Sequence, residues 1–171
     1  QVKEEESREV EIQWKVSAFL PPEYIPVESQ RVMLYKRVAE ARTPKELGDI
    51  AAEIRDRYGD VQRLKPGTTD EFEEDLPEPV ENLFLIARMR ILGSRLELKK
   101  IVGLKSGFKF VKDNALETLG RRAQKLITDK GPDIYADDPD ALEFGYRDWA
   151  KRRGLAEATK MLEGLQRKKK K

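Results

Sequence analysis

Lys100-Ile101-Val102-Gly103-Leu104-Lys105-Ser106-Gly107-Phe108-Lys109-Phe110-Val111 is the stretch on which the fold turns. Two short runs rich in β-branched and aromatic residues, Lys100–Leu104 and Phe108–Val111, flank Lys105-Ser106-Gly107. That is the pattern of a β-hairpin. Most of the chain around it has helical periodicity, so the hairpin makes the fold α+β rather than all-helical.

Downstream, the sequence predicts a helix over 114–128. Asn114 and Glu117 form a capping box, and Leu116, Leu119, Ala123, Leu126 and Ile127 form its core face. Gly131-Pro132 stops it. Short strands at Ile134–Ala136 and Leu142–Tyr146 flank the turn Asp137-Asp138-Pro139-Asp140. A last helix runs from Asp148 to Gln166, with Leu155, Ala158, Leu162 and Leu165 inward.

Upstream, a helix from about Pro77 to Leu96 is apolar nearly all round, which argues for a central position. Residues 61–75 read as a loop, with Lys65-Pro66-Gly67-Thr68 as turn signal and an acidic run after it. Before the loop, Thr43 is the N-cap of a helix, Pro44 takes its first position and Glu46 completes a capping box. Leu47, Ile50, Ala51, Ile54 and Tyr58 form its buried stripe, and Gly59 suits a left-handed C-cap. The helix before it, about 28–41, carries Leu34, Val38 and Ala41, with Tyr35 and Ala39 widening the stripe. Pro21, Pro22 and Pro26 force an extended connection, pinned by Tyr24 and Ile25. Val10, Ile12, Trp14, Val16 and Ala18 alternate as a half-buried strand. The expectation is one α+β domain spanning residues 1–171: a small, mainly antiparallel sheet packed with about five helices. Residues 1–8 and 167–171 are expected to be loose.

Composition narrows the chemistry. The 171 residues include no His and no Cys. This removes Ser–His–Asp and Cys–His catalysis, His/Cys zinc sites and disulfides. No phosphate-binding loop or nucleophile elbow occurs. Asp137, Asp138 and Asp140 read as turn chemistry rather than a cation site. The expectation is therefore a non-enzyme with no cofactor and no metal. The absence of a signal peptide and of a long apolar run points to a cytoplasmic protein with no membrane partner. A chain beginning at Gln1 rather than Met reads as a piece of something longer.

Net charge is only +2, but it is unevenly spread. Asp70, Glu71, Glu73, Glu74, Asp75, Glu78 and Glu81 follow Pro66 with no Lys or Arg among them. From Arg147 to Lys171, ten basic residues face three acidic ones. One reading is a nucleic-acid-binding appendage. Arg147, Lys151, Arg152 and Arg153 would contact phosphates, helped by Arg121, Arg122 and the Lys168–Lys171 tail, with Tyr146 and Trp149 as stacking groups.

A more specific signal comes from five motifs in order: Phe19–Pro26 as F-x-P-x-[DE]-[YF]-I-P, Gln30–Arg37 as Q-R-x-x-L-Y-K-R, Ala41–Leu47 as A-[RK]-T-x-x-E-L, Asp56–Gly59 as D-R-[FY]-G, and Leu76–Leu83 as L-P-E-P-V-E-N-L. Together they resemble the C-terminal module of the bacterial transcription-repair coupling factor (Mfd) family. From Leu98 onward only the order of elements matches. The resemblance implies a non-catalytic, autoinhibitory module of an ATP-driven DNA translocase that displaces stalled RNA polymerase. It would clasp the N-terminal module, cover the surface that recruits UvrA, and restrain the motor on double-stranded DNA. The family's masking contact maps onto Glu53 and Asp56, with Arg57 beside them. Both acids fall off the Leu47/Ile50/Ile54 stripe, so they are expected to face solvent. Val61–Asp75 is an acidic insertion relative to the family, next to that surface.

Overall fold

The computed structural model describes residues 9–59, 61–64 and 72–167. In chain order the elements are β1 (Glu11–Gln13), α1 (Glu28–Glu40), α2 (Pro44–Tyr58), β2 (Val61–Leu64), β3 (Phe72–Asp75), α3 (Glu78–Arg95), β4 (Lys100–Leu104), β5 (Gly107–Val111), α4 (Ala115–Leu126), β6 (Asp133–Tyr135), β7 (Ala141–Gly145), a 3-10 turn (Trp149–Lys151) and α5 (Gly154–Leu165). They form two units. One takes the residues up to Lys15 and those from Met89 onward; the other is Val16–Arg88. The division falls inside α3.

The first unit holds a five-stranded sheet in the order β1-β4-β5-β7-β6. β1 runs parallel to β4, and the other three pairings are antiparallel. Alternation sorts its faces. Ile101, Phe108, Phe110, Leu142 and Phe144 are fully buried on one side, while Lys109 sits opposite Glu143 on the other. Phe108 and Phe144 stack with centroids 4.9 Å apart, and Phe110 lies 5.3 Å from Phe144. α5 packs against β5 and α4 against β7, bringing the buried Leu119, Ala123, Leu155, Ala158, Leu162 and Leu165 to the core. β5 and β7 run so close at Gly107 that a Cβ there would lie 1.7 Å from the Phe144 carbonyl oxygen. Only glycine fits.

The second unit is built on the α1–α2 hairpin. Leu34, Val38, Leu47, Ile50 and Ile54 are buried between its elements' apolar sides. The Pro21–Pro26 segment is held as its side chains suggest. Ile25 is fully buried, the Tyr24 hydroxyl donates to the Gly59 carbonyl, and Arg31 Nη1 donates to the Ile25 carbonyl at 2.7 Å.

Six expectations need correction, the first being that Leu116 and Leu126, expected in the core face of α4, are exposed. Residues 61–75 are not all loop: β2 and β3 pair antiparallel, from Val61 opposite Asp75 to Leu64 opposite Phe72. Residues 65–68, which carry the turn signal, lie outside the described residues, as do 1–8 and 168–171. β1 is three residues long, although apolar alternation continues to Ala18: its pairing ends at Gln13 opposite Val102, while β4 runs on to Leu104 and the Trp14 ring lies against Gly103. Asn114 does not cap α4. It adopts φ 55°, a left-handed conformation asparagine tolerates, makes no side-chain cap, and donates its N–H to Asp140 Oδ1 at 2.8 Å. The final helix is broken, because Arg152 and Arg153 are extended between the 3-10 turn and α5. Tyr35 and Ala39 do not widen the buried stripe of α1: both are exposed, and the Tyr35 hydroxyl instead accepts a hydrogen bond from the Leu20 N–H at 2.7 Å.

Candidate protein-interaction surface

α2 owes its start to local chemistry. Thr43 Oγ1 accepts the Glu46 N–H at 3.1 Å, and Glu46 Oε2 accepts the Arg42 N–H at 2.8 Å. The Thr43 cap contributes about 1 kcal/mol, and the Glu46 bond falls one residue before the N–H that a capping box uses. At the far end Gly59 has φ 83° and donates to the Arg55 carbonyl. The Tyr58 hydroxyl donates to Gln30 Oε1 at 2.6 Å, tying the end of α2 to the start of α1.

With Leu47, Ile50, Ala51 and Ile54 buried, the opposite side of α2 faces water. Glu53, Asp56 and Arg57 are all exposed there. At spacings of three and four residues they are neighbours on one helical face. Glu53 is not a bare carboxylate. Arg37 Nη2, from the last turn of α1, donates to Glu53 Oε2 at 2.8 Å, with both side chains about half exposed. That hydrogen bond holds the Glu53 carboxyl below the usual glutamate range; the charges of Arg37 and Arg57 add to the effect and partial burial opposes it. Exposed pairs of this kind are weak and exchangeable. The surface therefore presents a polar patch in which acids and guanidinium groups alternate. Arg37 was absent from the sequence-based site. The signal lay in the Gln30–Arg37 motif, whose last residue it is, but its reach to Glu53 depends on the packing of two helices.

The basic segment near the C-terminus is not one row of phosphate contacts. Arg147 and Lys151 are exposed. Arg152 is turned onto the protein: it bonds Asp148 Oδ1 at 2.7 Å and Glu157 Oε1 at 3.1 Å, donates to the Lys130 carbonyl, and lies 4.7 Å above the Tyr146 ring. Its hydrogen bond holds the Asp148 carboxyl low. Tyr146 is pushed up to about 12, chiefly by burial and then by the Glu157 charge. Arg153 is half-buried. Of the two arginines of α4, Arg121 is exposed, while Arg122 donates to the Leu165 carbonyl at 2.6 Å, at the end of α5. Asp138 Oδ1 accepts the Asp140 N–H at 2.9 Å, which is turn chemistry, and no acidic group able to hold a metal ion occurs among the described residues. Among the same residues no helix is long and apolar enough to cross a membrane.

Residues 14–66 match the TRCF domain family. The chain is 32% identical over 101 residues to the transcription-repair-coupling factor of Escherichia coli (strain K12), covering 59% of this chain and 8% of that protein. It is 46% identical over 57 residues to the factor of Helicobacter pylori (strain ATCC 700392 / 26695), covering 33% of this chain and 6% of that one. The chain thus spans less than a tenth of the length of these relatives. Its fold is that of a crystal structure of the C-terminal domain of transcription-repair coupling factor. The TM-score is 0.61 over 92% of this chain and 93% of that one, at 15% identity. The match of residues 14–66 to the TRCF domain family, with a fold that over 92% of the chain is like that of this C-terminal domain, makes the chain similar to the C-terminal part of the transcription-repair coupling factors.

Proposed function

We propose that residues 1–171 act as one non-catalytic, autoinhibitory interaction module of a transcription-repair coupling factor in the cytoplasm. In the longer protein the module covers the UvrA-binding surface of the N-terminal module. It thereby restrains the translocase on double-stranded DNA until RNA polymerase is engaged. The observation that carries this reading is the exposed Glu53/Asp56/Arg57 face of α2, which lies inside the stretch that matches the TRCF domain. Carboxylates on a solvated helix face give a contact that is selective for a basic partner surface yet weak enough to open. A chain with neither His nor Cys also has few means of catalysis at neutral pH.

The test is calorimetry of this chain against the N-terminal module. Wild type binds, and Glu53→Ala with Asp56→Ala weakens binding by about tenfold. No binding by wild type removes the clasp; unchanged affinity in the double variant removes this face as its seat.

A further inference from the structure

A second feature lies in the unit formed by residues up to Lys15 and from Met89 onward, and it does not depend on the clasp. An open cavity of about 700 Å³ is walled by Trp14 and Trp149, with Lys15 and Lys105 among its lining residues. The volume is that of a ligand site. The indoles are half-buried, with centroids 6.4 Å apart and planes tilted by 48°. Two glycines make room for them. A Cβ at Gly103 would lie 2.7 Å from the Trp14 ring, and one at Gly154 would lie 2.7 Å from Trp149 and 3.1 Å from Trp14. Trp149 is braced from behind by Tyr146, stacked at 5.2 Å.

Among the residues lining the cavity the only charges are two lysines, while Asp148, exposed and next to Trp149 in the chain, is engaged by Arg152. Lys15 and Lys105 are exposed, and no residue lining the cavity is acidic. Arg147 and Lys151, also exposed, flank Trp149 in the chain. We propose that this cavity is a binding site for single-stranded nucleic acid, with a base against the indole walls and phosphates on Lys15 and Lys105. Flat aromatic walls accept any unstacked base, and lysines on the rim neutralise the backbone beside it. A duplex keeps its bases stacked on one another and cannot offer one. An acidic peptide would satisfy the lysines but would leave the rings without a planar partner.

The experiment uses an intrinsic probe. The chain has two tryptophans, and both line this cavity, so its tryptophan fluorescence reports on the site. Titration with an oligothymidylate of about ten nucleotides is expected to quench that fluorescence saturably, with affinity falling as salt rises. Lys15→Glu with Lys105→Glu, verified as folded by circular dichroism, is expected to weaken binding by roughly tenfold or more. No quenching at low salt overturns the proposal. So does oligonucleotide binding seen by anisotropy without a fluorescence change, or quenching that survives the lysine substitutions. Equal quenching by poly-glutamate would make the cavity an acidic-peptide groove and would likewise overturn it.

Discussion

Arg37 and Glu53 meet through a single 2.8 Å hydrogen bond between two half-exposed side chains. The carboxyl has a lower pKa in the folded chain than in the unfolded one. Its contribution to stability is therefore complete above the ordinary glutamate range and is lost as pH falls through the lowered folded value. In Arg37→Met, the Glu53 carboxyl should titrate nearer its ordinary range by NMR, and acid unfolding should lose that component. A Glu53 titration curve unmoved by the substitution would mean the pair is not populated in solution. If Glu53 seats the clasp, Arg37 already occupies the group a partner must bind. A partner cation then exchanges for Arg37 rather than meeting an empty carboxylate.

Elements whose determinants are neighbours in sequence were legible; those fixed by distant partners were not. Thr43, Pro44 and Glu46 announce the start of α2: Thr43 takes the Glu46 N–H as the spacing requires, while the Glu46 carboxylate takes the N–H of Arg42, one residue before the N-cap. The Lys100–Val111 hairpin was readable for the same reason. Asn114 also looked like a cap, but the Asp140 carboxylate, far along the chain, takes its N–H and sets its backbone. The break at Arg152 and Arg153 was hidden likewise. Arg152 there is held by Asp148, by Glu157 and by the Lys130 carbonyl, and the last of these, 22 residues away, is a partner no periodicity records. Of the interaction residues, the exposure of Glu53 and Asp56 followed from the α2 stripe, while Arg37 needed the packed hairpin. The β5–β7 contact carries its own prediction. Gly107→Ala places a methyl group on the Phe144 carbonyl, and the two strands must part. A loss of about 3 kcal/mol in urea unfolding is expected; a loss below about 0.5 kcal/mol would show that the pairing there is loose.

At the scale of the whole chain, one sheet is assembled from both sides of the Val16–Arg88 unit. β1 is its edge strand, and Ile12 pairs with Ile101 across that entire interval. Val10 beside it is buried, and hiding a valine is worth about 2 kcal/mol. Removing residues 1–13 should lower stability by at least that amount. It should also bare the edge of β4, so self-association is expected in sedimentation experiments. An unchanged urea midpoint would mean β1 is an ornament.

The same pairing has a consequence for biosynthesis. Residues leave the ribosome in order, so β1 emerges long before Lys100–Val102 exist to receive it. Through that interval its backbone has no strand to join, while Val16–Arg88 has its whole sequence in hand and can close first. The sheet is then completed only by a contact of very long sequence separation, the kind that slows folding most. Refolding of the aromatic core should accordingly lag the α1–α2 hairpin.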